Sequence, residues 1–386
     1  MKRVGLDLCS LSGERAARGM GVYTLHLSRA LVGLLRTDPP SSLDFYLFSF
    51  LAPAALEELL GPFPANVKAV RVWGSKGRLQ TLLGHQIGLA LLAARYRLDI
   101  LHSPGFGVDP SQPGLPPLFP PTRRLTTMHD LIPWHYPEIF LTARRKRFWY
   151  GLMLRRVCRS AYIVTNSEHT RHDLIVSLGF DPAKIKCTPL AADQFATVEP
   201  RLPSDAPVQP FILVVAGPQP HKNLARLLHA FSHWRTQPAQ NGVVNMVIIG
   251  AGDSRVALAQ ILPPYLQSKV AWFNGLPIEE IAGLYQAARF LAFPSLYEGF
   301  GLPILEAMTL GCPVLCSDNA ALPEIGGQAA YYVNPLDELD IEKGLNKMWH
   351  DEALRQQLKA AGHSQVQKFS WQHTAELTLD VYQKIL

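Results

Sequence analysis

The sequence predicts an α/β protein built from two doubly wound parallel sheets. Short apolar strands alternate with helical stretches in both halves of the 386-residue chain, and this alternation is typical of parallel sheets with helices on both faces. A polar, proline-rich segment, Thr197 to Pro210, separates the two halves. A chain of this length usually forms more than one domain. We therefore expect two domains whose strand ends face a central cleft, where ligands of such sheets bind.

These observations give the expected domain bounds. Residues 1–196 form an N-terminal domain and residues 197–210 form a linker. Residues 211–365 form a C-terminal domain, and residues 366–386 form a last helix that crosses back to the N-terminal domain.

In the first half, an amphipathic helix follows the first strand. The stretch GVYTLHLSRALVGLL places Val22, Leu25, Ala30 and Leu34 on one side, which is the spacing of a helix with one buried face. The predicted strands are VGLDLC, DFYLFSF, DILHS, RLTTMHD and AYIVTNS.

In the second half, the alternation restarts with the strand FILVVAG. Helices are predicted at NLARLLHAFSHW, IEEIAGLYQAA and LPILEAMTL, and further strands at VVNMVIIGAG, VAWFNG, FLAFPS, CPVLCS and AAYYV.

Composition indicates an ordinary globular protein, with 48% apolar and 18% charged residues. The longest apolar run, IGLALLAARY, is interrupted by Arg95, so no membrane-spanning helix is expected. The start of the chain lacks the apolar core of a signal peptide. The five cysteines are scattered and form no CxxC pair, which favours reduced, buried thiols. We expect a cytoplasmic protein.

Positive charge is concentrated in the first half. Residues 1–195 carry 24 Lys and Arg against 14 Asp and Glu, a net charge of +10, whereas the whole chain carries +6. Seven basic residues and no acid lie in the stretch from Thr142 to Ala161, beside Phe148, Trp149 and Tyr150. A solvated helix is the simplest interpretation. The alternative is peripheral contact with an anionic membrane, on the inner face of the plasma membrane. Nucleic-acid binding is not expected, because no binding motif accompanies the charge.

The stretch PSLYEGFGLPILEAM, Pro294 to Met308, contains two glutamates, Glu298 and Glu306. Paired carboxylates can act as acid and base on a sugar bond, but a loop residue and a helix residue do not share one helical face. A helix start after a glycine loop offers backbone N–H groups and a positive dipole end, which suits a diphosphate.

This stretch resembles the E-x7-E motif of retaining glycosyltransferases with the GT-B fold, in particular the GT4-type group (glycosyl transferases group 1). The resemblance extends in order along nearly the whole chain. The matching segments are RGMGVY, TMHDLIPWHYPE, TNSEHTRHDL, GPQPHKN, FNGLPIEEIAGLYQAA, SDNAALPEIGG and FSWQHTAELTLDVY.

The resemblance implies a role for each matching residue. Glu298 would contact the donor sugar and Glu306 the ribose diol, since a carboxylate can accept two hydroxyl hydrogen bonds. Lys222 would neutralise the diphosphate. His129 would lie near the reacting carbon, so His129 and Glu298 are the candidate catalytic residues. The remaining donor-binding candidates are Gly19, Gly21, Gly217, Leu276, Gly299, Phe300, Gly301 and Leu302.

The sequence departs from the family pattern in the lysine loop. Pro218 follows Gly217, the loop is about one residue short, and His221 stands where related sequences often carry Arg. We therefore expect phosphate charge to be less fully neutralised there, or a residue elsewhere to compensate. Asn223 could simply cap the next helix.

The implied activity is retaining transfer of a hexose from a nucleotide diphosphate sugar to a saccharide or lipid-linked saccharide. GDP-mannose is the favoured donor, with UDP-sugars as the alternative. No Asp-x-Asp motif occurs, so no metal and no cofactor are expected. A nucleotide-sugar epimerase, a phosphorylase and a non-catalytic sensor are the other hypotheses, and oligomeric state is left open.

Overall fold

The structure is a computed structural model that describes residues 1–12, 19–38, 40, 42–74, 77–105, 122–158, 160–207, 210–236 and 245–386. The chain divides into two units. The N-terminal unit consists of residues 1–190 and 371–386, and the C-terminal unit of residues 191–370.

The N-terminal unit has a seven-stranded parallel sheet in the order β3-β2-β1-β4-β5-β6-β7. The chain builds outward from β1 through β2 to β3, then returns to the other side of β1, so the strand order reverses between β1 and β4. The strands are β1 (Lys2–Asp7), β2 (Leu43–Ser49), β3 (Val67–Arg71), β4 (Ile100–Ser103), β5 (Arg123–Met128), β6 (Tyr162–Thr165) and β7 (Ile185–Cys187). The helices are α1 (Gly19–Thr37), α2 (Pro53–Leu60), α3 (Arg78–Leu83), α4 (Leu89–Arg95), α5 (Ile132–His135), α6 (Pro137–Phe140), α7 (Arg144–Val157) and α8 (Glu168–Leu178).

The C-terminal unit repeats this plan with six parallel strands in the order β10-β9-β8-β11-β12-β13. Its strand order reverses between β8 and β11. The strands are β8 (Phe211–Val215), β9 (Asn245–Ile249), β10 (Val270–Phe273), β11 (Phe290–Phe293), β12 (Val314–Ser317) and β13 (Ala330–Val333). The helices are α9 (Leu224–Thr236), α10 (Arg255–Ala259), α11 (Pro264–Gln267), α12 (Ile278–Ala287), α13 (Leu302–Thr309), α14 (Leu322–Gly326), α15 (Glu338–His350) and α16 (Glu352–Val366).

Two neighbouring strands of the C-terminal sheet, β11 and β12, are buried at every position. Both β11 and β12 have four buried residues out of four, which requires cover on both faces. On one face, α9 and α15 pack through residues such as Phe231, Trp234 and Met348. The predicted doubly wound arrangement is confirmed in both units.

The last helix, α17 (Trp371–Ile385), belongs to the N-terminal unit. The Tyr382 hydroxyl lies 2.7 Å from His102 Nδ1, and Lys384 Nζ donates to the Tyr162 hydroxyl at 3.0 Å. The helix therefore completes the first unit with the final residues of the chain.

The segment predicted as a linker packs on the C-terminal unit. Arg201 N donates to Glu279 O at 2.9 Å, and a Cβ on Gly283 would come within 2.3 Å of Arg201 O. Glycine at position 283 thus lets the segment lie directly against α12. Residues 191–207 and 210 are part of this unit. The polar, proline-rich composition that predicted a linker therefore belongs to a packed segment. Residues 208 and 209 lie outside the described residues.

The buried face of α1 also differs from the prediction. Val22, Leu25, Ala30 and Leu34 are only partly buried. The buried stripe instead contains Tyr23, Leu27, Leu31 and Leu35, together with Thr24 and Ser28. The two hydroxyls are tolerated there because Thr24 Oγ1 donates to Met20 O and Ser28 Oγ to Thr24 O, each one turn back.

Two short strands, β3 and β7, were not predicted. The cysteine prediction holds for four of the five free thiols, but Cys158 is exposed at the end of α7.

Candidate active site

In the C-terminal unit, two loops follow the strands at the point where the strand order reverses. One loop runs from Ala216 to Asn223 after β8, and the other from Pro294 to Gly301 after β11. Because β8 and β11 are paired neighbours, their carboxyl ends bring these loops together. Crevices of this kind are where open α/β sheets bind ligands.

An ion pair joins the two loops. Lys222 Nζ donates to both carboxylate oxygens of Glu298, at 2.8 and 3.0 Å. The side chains are 21% and 10% exposed, and the ammonium also lies 5.5 Å from the Phe293 ring centroid. Lys222 and Glu298, two of the predicted site residues, are thus in direct contact.

Asn223 holds the same loops in place through its side chain. Its Nδ2 donates to the carbonyl oxygens of Pro294 and Pro335, at 2.9 and 2.7 Å, and its own Oδ1 accepts from Arg226 Nη1 at 2.7 Å. The backbone is left-handed, with φ of 59°, which Asn tolerates better than most residues. Asn223 also stands directly before α9, where its carbonyl oxygen accepts from Leu227 N at 3.1 Å, as expected at a helix start, and its side chain links the loops that follow β8, β11 and β13.

His221 is buried beside the ion pair. Burial lowers the pKa of His221 to about 4, although Glu298 acts in the opposite direction. The imidazole is therefore neutral at physiological pH and supplies no charge for a phosphate.

The second loop leads into α13 through a glycine with a positive φ. Gly301 has φ of +104°, a conformation open mainly to glycine, and Pro303 lies in the first turn of the helix, where its missing N–H is not needed. Phe300 is buried and packs edge-on to Phe369. Gly299, Gly301 and Leu302 surround the N-terminal end of this eight-residue helix, which carries partial positive charge.

Glu306 lies one turn into α13 and is held by a tyrosine. The Tyr285 hydroxyl, from α12, donates to Glu306 Oε2 at 2.7 Å. Burial raises the pKa of Glu306, and the hydrogen bond from Tyr285 acts to lower it. One carboxylate oxygen is thereby fixed in place. Glu298 and Glu306 have different hydrogen-bond partners, Lys222 and Tyr285.

The remaining candidates of this unit lie at neighbouring strand ends. Gly217 follows β8 and is partly buried; Leu276 follows β10 and is partly buried after Gly275, whose φ is +66°. Their roles stay predictions.

His129 lies in the N-terminal unit, directly after β5. Its Nε2 donates to Pro104 O at 2.9 Å, which leaves Nδ1 as the acceptor of the neutral ring. The Tyr23 ring packs against it edge-on, with 4.7 Å between centroids. Burial lowers the pKa of His129 to about 4. The side chain can accept a hydroxyl hydrogen bond and carries no charge near neutral pH.

A buried network extends behind His129. The Tyr23 hydroxyl lies 3.0 Å from Thr127 Oγ1, which lies 2.8 Å from His102 Nε2. The other His102 nitrogen contacts Tyr382 of α17. Burial lowers the pKa of His102 to about 3, so the network is neutral.

Gly19 and Gly21 lie in the first turn of α1 rather than in a loop. A Cβ on Gly19 would meet no atom within 4 Å. The donor-binding role of both glycines stays a prediction. Arg18, the first residue of the RGMGVY segment, lies outside the described residues.

One group in the described part of the chain could offer three metal-ligating atoms: Asp7, Cys9 and His85, all buried in the N-terminal unit. Asp7 Oδ2 lies 2.6 Å from His85 Nε2, and Asp7 Oδ1 accepts from Cys9 N. These contacts already satisfy the carboxylate, so the group is explained as a buried hydrogen-bonded pair. Metal independence stays a prediction.

Two residues of the site were not identified from the sequence. Tyr285 resembles any buried aromatic residue of an amphipathic helix, and the position of Tyr23 at His129 depends on packing between α1 and β5. The sequence signal that existed was their place in the segments GLYQAA and GVYTLH.

Two doubly wound parallel-sheet units in one chain are the architecture of the GT-B fold. The Glycosyltransferase Family 4 profile matches residues 17–193 and the Glycosyl transferases group 1 profile matches residues 204–365. The chain belongs to this group 1, GT4-type family of glycosyltransferases.

Curated relatives include several mannosyltransferases. The O-antigen chain mannosyltransferase B of Escherichia coli is 28% identical over 269 residues, covering 67% of this chain and 70% of the relative. The MMP alpha-(1->4)-mannosyltransferase of Mycolicibacterium hassiacum is 30% identical over 248 residues, covering 62% and 59%. The chain matches about a third of the length of the serotype-specific mannosyltransferase WbdA of Escherichia coli.

Solved structures share the fold over the full length. Sucrose-phosphate synthase from Thermosynechococcus elongatus has a TM-score of 0.73 at 18% identity, covering 100% of this chain and 99% of the other. Anabaena HepE in complex with UDP and glucose has a TM-score of 0.66 at 15% identity, covering 99% of each chain. At these identities the likeness concerns the fold alone.

Among the described helices, none combines the length and apolar character needed to cross a bilayer.

Proposed function

We propose that the chain transfers a hexose from a nucleotide diphosphate sugar to a hydroxyl of a saccharide or lipid-linked saccharide, with retention of anomeric configuration. The Lys222–Glu298 ion pair, at the strand reversal of the C-terminal unit and beside the N-terminus of α13, carries this proposal. A cation, a carboxylate and free helix amides at one strand edge are the groups that suit a diphosphate and its sugar.

The C-terminal unit supplies groups for each part of the donor. Lys222 and the first turn of α13 stabilise the negative charge that develops on the leaving diphosphate. Glu298 accepts hydrogen bonds from sugar hydroxyls. Glu306, with one oxygen held by Tyr285, accepts from the ribose. A nucleoside diphosphate is a good leaving group, so this arrangement needs no proton donor and no resident metal.

The N-terminal unit supplies His129 as a neutral acceptor. Because Nε2 donates to Pro104 O, Nδ1 is available to accept a hydrogen bond from a sugar hydroxyl. An oxygen of the leaving phosphate takes the proton of the attacking hydroxyl on the same face. Neither Glu298 nor Glu306 acts as a nucleophile.

GDP-mannose is the proposed donor, and glycan or polysaccharide biosynthesis the proposed context. The names of the curated relatives support mannose. A UDP-sugar is the second candidate, because the structural neighbour HepE was solved with UDP and glucose.

A thermal-shift panel of GDP, UDP, ADP, CDP and TDP tests the donor site. At equal concentrations the nucleotide that binds most tightly should raise the unfolding temperature most, because stabilisation grows with the logarithm of concentration over Kd, and K222M should abolish the shift. The control is E280Q, which removes a carboxylate from the Arg201–Glu280 surface pair of the same unit. A flat response to all five nucleotides contradicts the proposal.

Product analysis then separates the activities. Donor with acceptor should give a new glycoside of unchanged anomeric configuration by NMR. Formation of a new nucleotide sugar from donor alone would indicate an epimerase instead, and binding without turnover would indicate a sensor.

We further propose that α7 contacts an anionic membrane from the cytoplasmic side. Arg144, Arg145, Lys146 and Arg147 are exposed, and Phe148 is 66% exposed beside them. Further along the helix, Tyr150, Met153 and Leu154 are buried. Cations next to an exposed aromatic ring suit an anionic lipid surface.

A flotation experiment tests this membrane contact. Phosphatidylglycerol vesicles should recover the wild-type protein, whereas neutral vesicles should not, and the R144Q/R145Q/K146Q variant should not be recovered by either. Equal recovery by neutral vesicles contradicts the proposed contact.

A further inference from the structure

The ion pair between Lys222 and Glu298 has a consequence for which ligands the anion site accepts. In this structure both oxygens of Glu298 accept hydrogen bonds from the Lys222 ammonium. The pair has no net charge, and both side chains are mostly buried. A diphosphate that approaches this site meets a neutral pair rather than a free cation.

Little other positive charge is available nearby. Across residues 216–223 and 294–301, Lys222 is the only Lys or Arg, and His221 is neutral because burial lowers its pKa to about 4. Arg226, in the first turn of α9, binds Asn223 Oδ1 and Pro335 O through Nη1. In these two loops, Lys222 is therefore the only full positive charge that attracts a phosphate, and Glu298 opposes it.

We propose that Glu298 makes this site selective for the sugar-bearing donor over the bare nucleoside diphosphate. The inference rests on the proposed function. Sugar hydroxyls donate hydrogen bonds to Glu298, which stabilises its negative charge and leaves more of the Lys222 ammonium for the phosphates. A nucleoside diphosphate alone brings no such donors, so its phosphates bind next to a carboxylate that repels them.

The same arrangement favours product release. Once the sugar has moved to the acceptor, its hydroxyls no longer engage Glu298, and the carboxylate recovers both hydrogen bonds from Lys222. The nucleoside diphosphate then loses part of the cation that held it. Glu298 therefore acts on the diphosphate through Lys222, in addition to its direct contact with the sugar.

The test measures two affinities in three proteins. Titration calorimetry with the nucleoside diphosphate selected by the thermal-shift panel, and with its hexose conjugate, is carried out on wild type, E298Q and E280Q. We expect E298Q to bind the bare nucleoside diphosphate roughly tenfold more tightly than wild type, and the conjugate more weakly. E280Q should match wild type for both ligands.

The outcomes separate this inference from the proposed function. If E298Q binds the bare nucleoside diphosphate no more tightly than wild type, the inference is wrong and the donor site stands. If wild type binds none of the five nucleotides, the proposed function itself fails. If E298Q does not fold, wild type alone decides: the conjugate must bind more tightly than the bare nucleoside diphosphate, and the opposite order overturns the inference.

Discussion

The two units have the same doubly wound architecture but opposite chemistry at their strand ends. In the C-terminal unit, the loops after β8 and β11 are joined by a charged pair, Lys222 and Glu298. In the N-terminal unit, the residues after β4 and β5 are joined by a neutral contact, His129 to Pro104 O. The difference shows that one fold plan can carry either a charged or an uncharged contact between its strand-end loops, depending on the loop residues.

Removing the cation tests the charged unit most severely. K222M should lower kcat/KM for the donor by about 100- to 1,000-fold, because it removes the fixed positive charge that stabilises the negative charge developing on the leaving diphosphate. Steady-state kinetics measure this, and K343M, at an exposed lysine of α15, is the control. A loss below tenfold would mean that the charge at these strand ends is not used in catalysis.

A smaller effect is expected at the ribose contact. E306Q should weaken donor binding by about 10- to 100-fold, since it removes a charged acceptor, while turnover at saturating donor changes little. Kinetics with varied donor separate the two parameters. If turnover disappeared while donor affinity stayed intact, the assignment of Glu306 to binding would be wrong.

Tyr285 should matter less than its partner. In Y285F the Glu306 carboxylate loses its fixed hydrogen bond, and donor affinity should fall by about three- to tenfold. Burial already raises the pKa of Glu306 and Tyr285 lowers it, so Y285F should raise it further. The ionised Glu306 carboxylate is the stronger acceptor for the ribose hydroxyls. As pH falls, donor affinity should therefore begin to decline at a higher pH in Y285F than in wild type. An unchanged pH profile would show a structural role only.

In the N-terminal unit, the buried histidines His129 and His102 should gain a proton only under acidic conditions. Burial lowers the pKa of His129 to about 4 and of His102 to about 3, whereas an unfolded histidine titrates near 6.5. Each depressed pKa adds stability that is complete above about pH 6.5 and is lost as pH falls toward these values. Activity should show no His129 titration between about pH 6 and 8. A His129 NMR titration near neutrality would refute the buried, uncharged state.

Sequence reasoning predicted most of the fold because both sheets are covered on each side and their strands form apolar runs. It predicted the positions of Lys222 and Glu298 after strands, but not their contact, because the pairing of β8 with β11 is a property of strand order. The face of α1 was wrong because buried Thr24 and Ser28 satisfy their hydroxyls locally, so polarity did not mark the solvent side.

The return of α17 to the N-terminal unit affects how the chain folds during synthesis. The C-terminal unit is one continuous segment, residues 191–370, whereas the N-terminal unit needs residues 371–386 to be complete. Domains usually fold in the order in which they leave the ribosome. Here the second unit can fold before residues 371–386 are made, whereas His102 gains its hydrogen-bond partner Tyr382 only afterwards.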